Sequence, residues 1–206
     1  MKLPLLVALT LAVLSGAARA EDDIHIRKAT RAEAETLSAR VFAGAPEPKR
    51  FACFVRRYDA DHLAQHPKQK VAAMKLLMST EYDKEDKELH YSFRLGFKNR
   101  QRSGNFESAG SCSHVVFEDS GNEVRFGCGV ECDGGGIGVA LSQDDKSAIV
   151  RLERVRAWQS GKQDEEADES LLAGADDKMF RLDRAPNGEC ASLVTDRKEL
   201  AALRRK

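Results

Sequence analysis

The sequence predicts a mainly antiparallel, all-β protein with eight or nine strands, folded as an up-and-down barrel or a two-sheet sandwich, with a short helix at each end. The first observation is an alternation of apolar and polar residues, clearest in His90–Lys98, which is typical of a strand with one buried face. The second is a set of short turns, such as Asp119–Asn122 and Asp133–Gly136, which join neighbouring strands as hairpins. Closure leaves no unpaired edge, so the barrel is favoured over the sandwich.

Residues 1–20 carry the parts of a secretory signal peptide. A positive start precedes the apolar residues 3–14, and Ala18 and Ala20 fit the small-residue pattern that a signal peptidase requires. An apolar run of about 12 residues is too short for a membrane helix, which needs about 20. We therefore expect cleavage before Glu21, and a mature protein that is soluble, periplasmic or secreted, and without a transmembrane segment.

The charge balance argues against a general nucleic-acid binder. The chain has 33 basic and 33 acidic residues. Removal of the signal peptide takes away Lys2 and Arg19, which leaves 31 basic and 33 acidic side chains. A protein that binds the phosphate backbone needs a clear excess of positive charge. We therefore expect no nucleic-acid partner.

Residues 21–49 are predicted to form an N-terminal helix and a linker. Thr30 and Glu33 have the spacing of a capping box, in which each side chain bonds the backbone N–H of the other residue. The positions that recur at helical spacing are Ala34, Leu37, Ser38 and Val41. Two closely spaced prolines then end the helix and lead into a barrel-like domain over residues 50–206.

The barrel-like domain is divided into strands by its apolar alternation and its turn residues. The predicted strands are Phe51–Tyr58, Val71–Ser79, His90–Lys98, Ser111–Phe117, Val124–Cys132, Ile137–Leu141, Ala148–Trp158, Met179–Arg184 and a short last strand over Cys190–Val194. An acidic loop is predicted over Gln163–Ser170. A terminal helix is predicted over Asp196–Arg205, where Leu200 and Leu203 share one face.

Five cysteines lie in the mature part, and an oxidising compartment makes disulfide bonds their first expected use. Cys112 and Cys128 are nearly symmetric about a hairpin turn, so their strands bring them opposite each other. Cys132 lies four residues beyond Cys128 and, as a strand residue, is expected to face the same side. We predict a Cys112–Cys128 disulfide, with Cys132 left unpaired or bonded to another chain.

A second disulfide is predicted between the two ends of the barrel. Cys53 lies on the first strand and Cys190 near the last, and a closed meander makes these strands neighbours. A Cys53–Cys190 bond would fasten the closure, and in the chain-entropy interpretation so long a loop contributes up to about 4–5 kcal/mol. The sequence has no CxxC motif and no paired histidines beside its cysteines, so no metal is predicted.

Four aromatic residues on predicted strands, Tyr91, Phe93, Phe97 and Trp158, are the predicted ligand-binding residues, because strand side chains line the interior and the mouth of a barrel. We predict an exported, non-enzymatic binding protein of the cell envelope, whose partner is a small ligand or an envelope protein. A cavity of roughly several hundred Å³ among these aromatic residues would favour a small ligand. A solid interior would favour a protein partner.

Two alternatives stay open. The first is an inhibitor or envelope-interaction protein that acts through the exposed hairpin loop Asp133–Gly138. The second is a metal-dependent enzyme that uses Asp59, His62 and His66, because histidines four residues apart share one face of a helical turn. The sequence has no HExxH, P-loop or G-x-S-x-G motif, so no catalytic residue and no cofactor are predicted.

Overall fold

The computed structural model describes residues 25–44, 48–162, 169–172 and 176–204; the predicted signal peptide lies outside these ranges. The strands are β1 Ile26–Lys28, β2 Phe51–Arg57, β3 Val71–Tyr82, β4 Leu89–Asn99, β5 Phe106–Phe117, β6 Glu123–Gly129, β7 Gly135–Leu141, β8 Ser147–Gln159, β9 Glu169–Leu172 and β10 Met179–Ala185. The α-helices are α1 Arg31–Val41, α2 Ala60–Gln65 and α3 Arg197–Leu203. Two 3-10 helices cover Glu118–Ser120 and Asn187–Leu193.

Eight strands form a closed antiparallel barrel. The ring runs from β2 through β8 to β10, and β10 pairs with β2, with Ala185 opposite Cys53. β1 and β9 lie outside the ring: β1 pairs with β5, and β9 pairs with β8. The predicted antiparallel barrel is confirmed, and the sandwich is excluded.

Side chains fill the interior of the barrel. Alternate residues of each strand of the ring point inward and join one large core, as the period-2 pattern requires. Among the largest fully buried side chains are Phe54, Phe93, Phe126 and Phe180. The interior is therefore a packed core at these positions, which is the usual state of a small barrel whose inward residues are large.

Helix α1 covers the end of the barrel where β2 begins and β10 ends. The predicted capping box is present, because Thr30 and Glu33 each bond the backbone N–H of the other. Leu37 and Val41 belong to the main core, so α1 closes this end with its apolar face. The guanidinium group of Arg184 donates to the Val41 carbonyl oxygen at 2.8 Å, which fixes the end of the helix to the barrel.

The segment after β10 differs from the sequence prediction. The predicted strand over Cys190–Val194 is wrong, because a 3-10 helix covers Asn187–Leu193. The barrel is already closed by β10 and β2, so no edge remains for another strand at this point. This 3-10 helix instead packs on the outer face of the barrel, where Cys190 and Leu193 form a second core with Val55 and Leu77. The predicted C-terminal helix is present as α3, which begins after the N-cap Asp196.

Three shorter elements were not predicted as such. β1 adds to β5 ahead of α1, and α2 lies between β2 and β3. β9 covers Glu169–Leu172, where the sequence predicts the end of an acidic loop; residues 163–168 of that loop lie outside the described ranges. None of the helices in the described ranges has the length and apolar character needed to span a membrane.

The structure contains two disulfides, and they join the cysteines that the sequence analysis pairs. Cys112 lies directly opposite Cys128 across β5 and β6 and is bonded to it. Cys53 is bonded to Cys190 over a sequence separation of 137 residues. This second bond lies in the outer core, where it ties the C-terminal segment to β2.

Candidate functional site

The four predicted aromatic residues do not line one cavity. Phe93 is only 1% exposed and lies inside the main core. Tyr91 and Trp158 line an open groove on the surface, while Phe97 contributes to a different cleft. The structure therefore separates the predicted set and places two of its members together at the surface groove.

We call this surface depression the hairpin groove, because the tips of the β3–β4 and β6–β7 hairpins border it. Its volume is about 1250 Å³. Its lining residues come from these two tips and from the faces of β4, β5 and β8: Glu81, Tyr82, Asp83, Lys84, Glu88, Leu89, His90, Tyr91, Ser92, Ala109, Gly110, Ser111, Cys112, Val130, Glu131, Cys132, Arg156 and Trp158. The groove is larger than a typical pocket for a small molecule, which measures about 300–1000 Å³.

The groove arises because the β6–β7 hairpin is shorter than its neighbours. β5 pairs with β6 from Ser111 onward and pairs with β8 only at Phe106 and Glu107. Ala109 lies between these two pairings and has no partner strand on this edge among the described residues. The end of β6 lies close to this gap, because a Cβ added to Gly110 would lie only 1.9 Å from the Gly129 carbonyl oxygen. Only glycine fits there.

The edge of β5 in this gap offers backbone hydrogen bonds toward the groove. The Cα atoms of Cys112 and Cys128 are 4.0 Å apart, the short spacing of a non-hydrogen-bonded antiparallel pair. Odd-numbered residues of β5 therefore direct their N–H and C=O groups toward β6, and Ala109 directs its own toward the gap. An extended segment placed there would find one backbone donor and one backbone acceptor.

Cys132 lies at the tip of the β6–β7 hairpin and is an exposed, free thiol. The prediction that it continues the strand and faces the same side as Cys128 is wrong. β6 ends at Gly129, and Cys132 and Asp133 both adopt positive φ angles, 56° and 57°, in the turn that follows. The Arg156 backbone N–H donates to the Gly134 carbonyl oxygen at 2.6 Å, which holds the tip beside β8.

The lining of the groove combines aromatic surface with an excess of negative charge. Four carboxylates line it, against the cations of Lys84 and Arg156, so the net charge is −2 with His90 neutral. Tyr82 is 43% exposed at the rim. The indole N–H of Trp158 is buried and has no hydrogen-bond partner in the described part of the chain. Such an unsatisfied donor is uncommon in proteins.

A small polar cluster holds the β3–β4 tip together. His90 Nε2 lies 2.6 Å from Asp86 Oδ2, and this hydrogen bond raises the pKa of His90. The backbone N–H of Glu88 is the main cause of the lowered pKa of Asp86. Asp83, Asp86 and His90 form the single group of three possible metal ligands found among the described residues. Their hydrogen bonds within the tip account for this arrangement.

The histidines proposed for a metal enzyme do not form a ligand set with an aspartate. The His62 and His66 rings stack with centroids 4.3 Å apart. The Asp59 side chain caps α2 by accepting the His62 backbone N–H at 2.7 Å. His62 Nε2 lies 3.1 Å from Gln69 Oε1. These contacts give the residues structural roles in the β2–β3 connection.

A second polar cluster lies beneath α1, at what we call the covered mouth, and sequence reasoning missed it. Ser38 Oγ lies 2.8 Å from His114 Nε2 and donates to the Tyr91 hydroxyl at 3.2 Å. Burial lowers the pKa of His114 to about 4, so the imidazole is neutral at physiological pH. Ser38 is fully buried, so this Ser–His pair is closed to a substrate and serves packing. In the sequence, only the position of Ser38 on the apolar face of the helix could have indicated this buried cluster.

The fold and the groove together define a disulfide-linked, eight-stranded antiparallel β-barrel with a packed interior and an open, acidic, aromatic surface groove. Comparison with protein families, with curated proteins and with solved structures finds no match to this chain. The inferences about function therefore depend on the chemistry of the residues themselves.

Proposed function

We propose that this protein is an exported binding protein that takes an extended, basic segment of a cell-envelope protein into the hairpin groove. The observation that carries the proposal is the composition of the groove: Trp158 and the exposed Tyr82 lie beside four carboxylates in one open depression. Aromatic residues provide contact area at little entropic cost, and complementary charge sets specificity and the rate of association. A lysine- or arginine-rich strand matches both features.

The packed interior favours a surface site over an enclosed one. Phe54, Phe93 and Phe126 occupy the space that a ligand inside the barrel would need. The hairpin groove is open along its length and exceeds the size of a small-molecule pocket. A peptide segment suits this shape better than a compact ligand.

The gap at Ala109 supports an extended conformation for the bound segment. An added strand bonds through its backbone, and its alternate side chains enter pockets on one side. Here those side chains would meet Trp158 on one side of the gap and the β3–β4 tip on the other. The backbone contacts supply affinity, and the carboxylates select basic side chains.

The disulfides support export. Disulfide bonds persist in oxidising compartments and are rare in the cytosol, and this barrel has two. A periplasmic or secreted location agrees with these bonds and with the predicted signal peptide. The basic segment would therefore belong to another protein of the envelope.

The experiment uses Trp158 as its own reporter, because it is the only tryptophan in the chain. The mature protein is titrated with a capped hexapeptide of alternating lysine and leucine, and the tryptophan emission is recorded. We expect a saturable shift of the emission that weakens as salt is added, because exposed charge interactions are screened.

The matched control is a hexapeptide of alternating glutamate and leucine. It has the same apolar side chains and the opposite charge, so we expect no saturable shift. Equal responses to the two peptides, or no response to the lysine peptide, would overturn the proposal.

A further inference from the structure

A second depression lies on the outer face of the barrel, away from the hairpin groove. We call it the outer cleft; it is bordered by β2, β3, β4, the start of β5 and the C-terminal 3-10 helix, and its volume is about 550 Å³. None of its lining residues lines the hairpin groove. A cleft of this size matches a single small ligand, for which about 300–1000 Å³ is usual.

The cross-strand register explains the depth of the cleft. Ala73 lies between Arg57 on β2 and Lys98 on β4. A short side chain between two long cationic ones leaves a hollow with a positive group on each side. In the adjacent row, Lys75 lies beside Gly96, so the hollow continues along β4.

Apolar groups line the same cleft. Leu193 of the 3-10 helix covers Gly96, because a Cβ on that glycine would lie 2.5 Å from a Leu193 methyl group. Val55, Phe97 and Phe106 also contribute to the lining. An alkyl chain that lies along these groups would be removed from contact with water. This removal is the main favourable contribution to the binding free energy of an apolar ligand.

Two polar groups in the cleft lack partners. The ammonium group of Lys98 is in no ion pair or hydrogen bond within the described ranges. Ser160 Oγ is buried and has no hydrogen-bond partner among the described residues. By contrast, Arg57 is paired with Glu189 at 2.7 Å, and Lys75 donates to the Glu189 carbonyl oxygen at 2.6 Å. The Lys98 ammonium group therefore remains available for an anion.

We propose that the outer cleft binds a single-chain amphiphile with one anionic head group, of which a fatty-acid carboxylate is the simplest example. The head group lies over Ala73, between Arg57 and Lys98, and the alkyl chain follows the apolar lining toward Leu193. The volume of the cleft, about 550 Å³, suits one free molecule better than a lipid held in a bilayer. This site is independent of the hairpin groove and goes beyond the proposed function.

The test is a calorimetric titration of the mature protein with dodecanoate, well below its micelle-forming concentration. We expect saturable binding of one molecule. Dodecyltrimethylammonium has the same chain and the opposite charge, and we expect it not to bind. Equal binding of the two amphiphiles contradicts the charge argument, and binding to phosphatidylglycerol vesicles without binding of free dodecanoate contradicts the proposed occupant.

Variants distinguish binding in the cleft from nonspecific binding elsewhere on the protein surface. Ala73→Leu fills the hollow, so we expect affinity for dodecanoate to fall by at least about tenfold, while Ala73→Ser, which keeps the size, retains binding. Lys98→Gln should weaken binding by about threefold, in the range of an exposed ion pair. Lys178→Gln removes a cation elsewhere and should leave affinity unchanged.

The decisive outcome is the affinity of Ala73→Leu for dodecanoate, measured on a variant whose thermal stability equals that of the wild type. Unchanged affinity in this variant would place the ligand outside the cleft and refute the proposal.

Discussion

The covered mouth and the hairpin groove share Tyr91 but differ in whether their polar groups have hydrogen-bond partners. At the mouth, the Tyr91 hydroxyl and His114 both bond Ser38, and α1 excludes solvent. At the groove, the Trp158 indole N–H has no partner within the described ranges, and the Cys132 thiol is free and exposed. A region that satisfies its own polar groups serves stability, and a region that leaves them open is suited to binding.

This comparison divides substitutions into two classes. Changes in the core or at the mouth should lower the free energy of unfolding and leave peptide binding intact. Changes in the groove should do the reverse.

Removal of the Cys53–Cys190 bond should have the largest effect. The double substitution Cys53→Ala and Cys190→Ala opens a loop of 137 residues, for which the chain-entropy account gives about 5 kcal/mol of unfolding free energy. Removal of Cys112–Cys128 opens a separation of 16 residues and should lower it by about 3 kcal/mol. Urea denaturation measures both. Only the second change should also weaken binding of the lysine peptide, because this bond belongs to both regions: Cys128 lies in the core, and Cys112 lines the groove.

Truncation of an interior aromatic residue should lower stability without touching the site. Phe93 is fully buried in the core, so Phe93→Ala should lower the free energy of unfolding by about 3–5 kcal/mol. Tyr82→Ala, at the exposed rim of the groove, should change stability by less than about 0.5 kcal/mol and weaken peptide binding. Urea denaturation and peptide titration of both variants decide this; a Tyr82→Ala variant that loses stability but keeps its affinity contradicts the division.

The covered mouth should give a pH dependence. Burial lowers the pKa of His114 from 6.5 to about 4, which means that the fold favours the neutral imidazole. Its contribution to stability is therefore complete above about pH 6.5 and is lost as the pH falls toward 4. His114→Phe keeps an aromatic ring and removes this titration. Thermal melts between pH 7 and pH 4 should show a steeper loss for the wild type than for the variant; parallel curves would refute the assignment.

Neutralising the groove should give the smallest effect. The double substitution Glu88→Gln and Glu131→Gln removes two of the four carboxylates, and we expect about two- to tenfold weaker binding of the lysine peptide. Stability should not change. Asp61→Asn removes an exposed carboxylate on α2, outside the groove, and serves as the control. A control that weakens binding as much as the double variant would show that total charge alone matters.

Much of the barrel was predictable from the sequence because period-2 alternation is a local signal. The alternation indicates directly that the Tyr91 and Phe93 side chains face the same side of β4. The symmetry of the turn about residues 119–122 places Cys112 opposite Cys128. The 3-10 helix over Asn187–Leu193 was not predictable in the same way. Its apolar residues pack against the outer face of β2 and β3. This contact joins distant parts of the chain, so the local sequence does not indicate it.

The candidate site was predictable only in part for the same reason. Tyr91 and Trp158 were identified as aromatic strand residues, but their meeting depends on β5 passing from β6 to β8. Cys132 was assigned to a strand because its neighbours alternate, whereas the turn begins after Gly129. The groove results from the different lengths of neighbouring strands. No single segment of the sequence could therefore have predicted it.

Binding in the hairpin groove is tested most directly by an NMR titration of the 15N- and methyl-labelled mature protein with the lysine–leucine hexapeptide. The Trp158 indole signal and the backbone signals of Ala109 and Glu131 should shift together, while methyl groups of the interior, such as those of Met74 and Leu95, stay in place. Shifts in the interior methyl groups with an unchanged Trp158 signal would place binding inside the barrel and contradict binding in the groove.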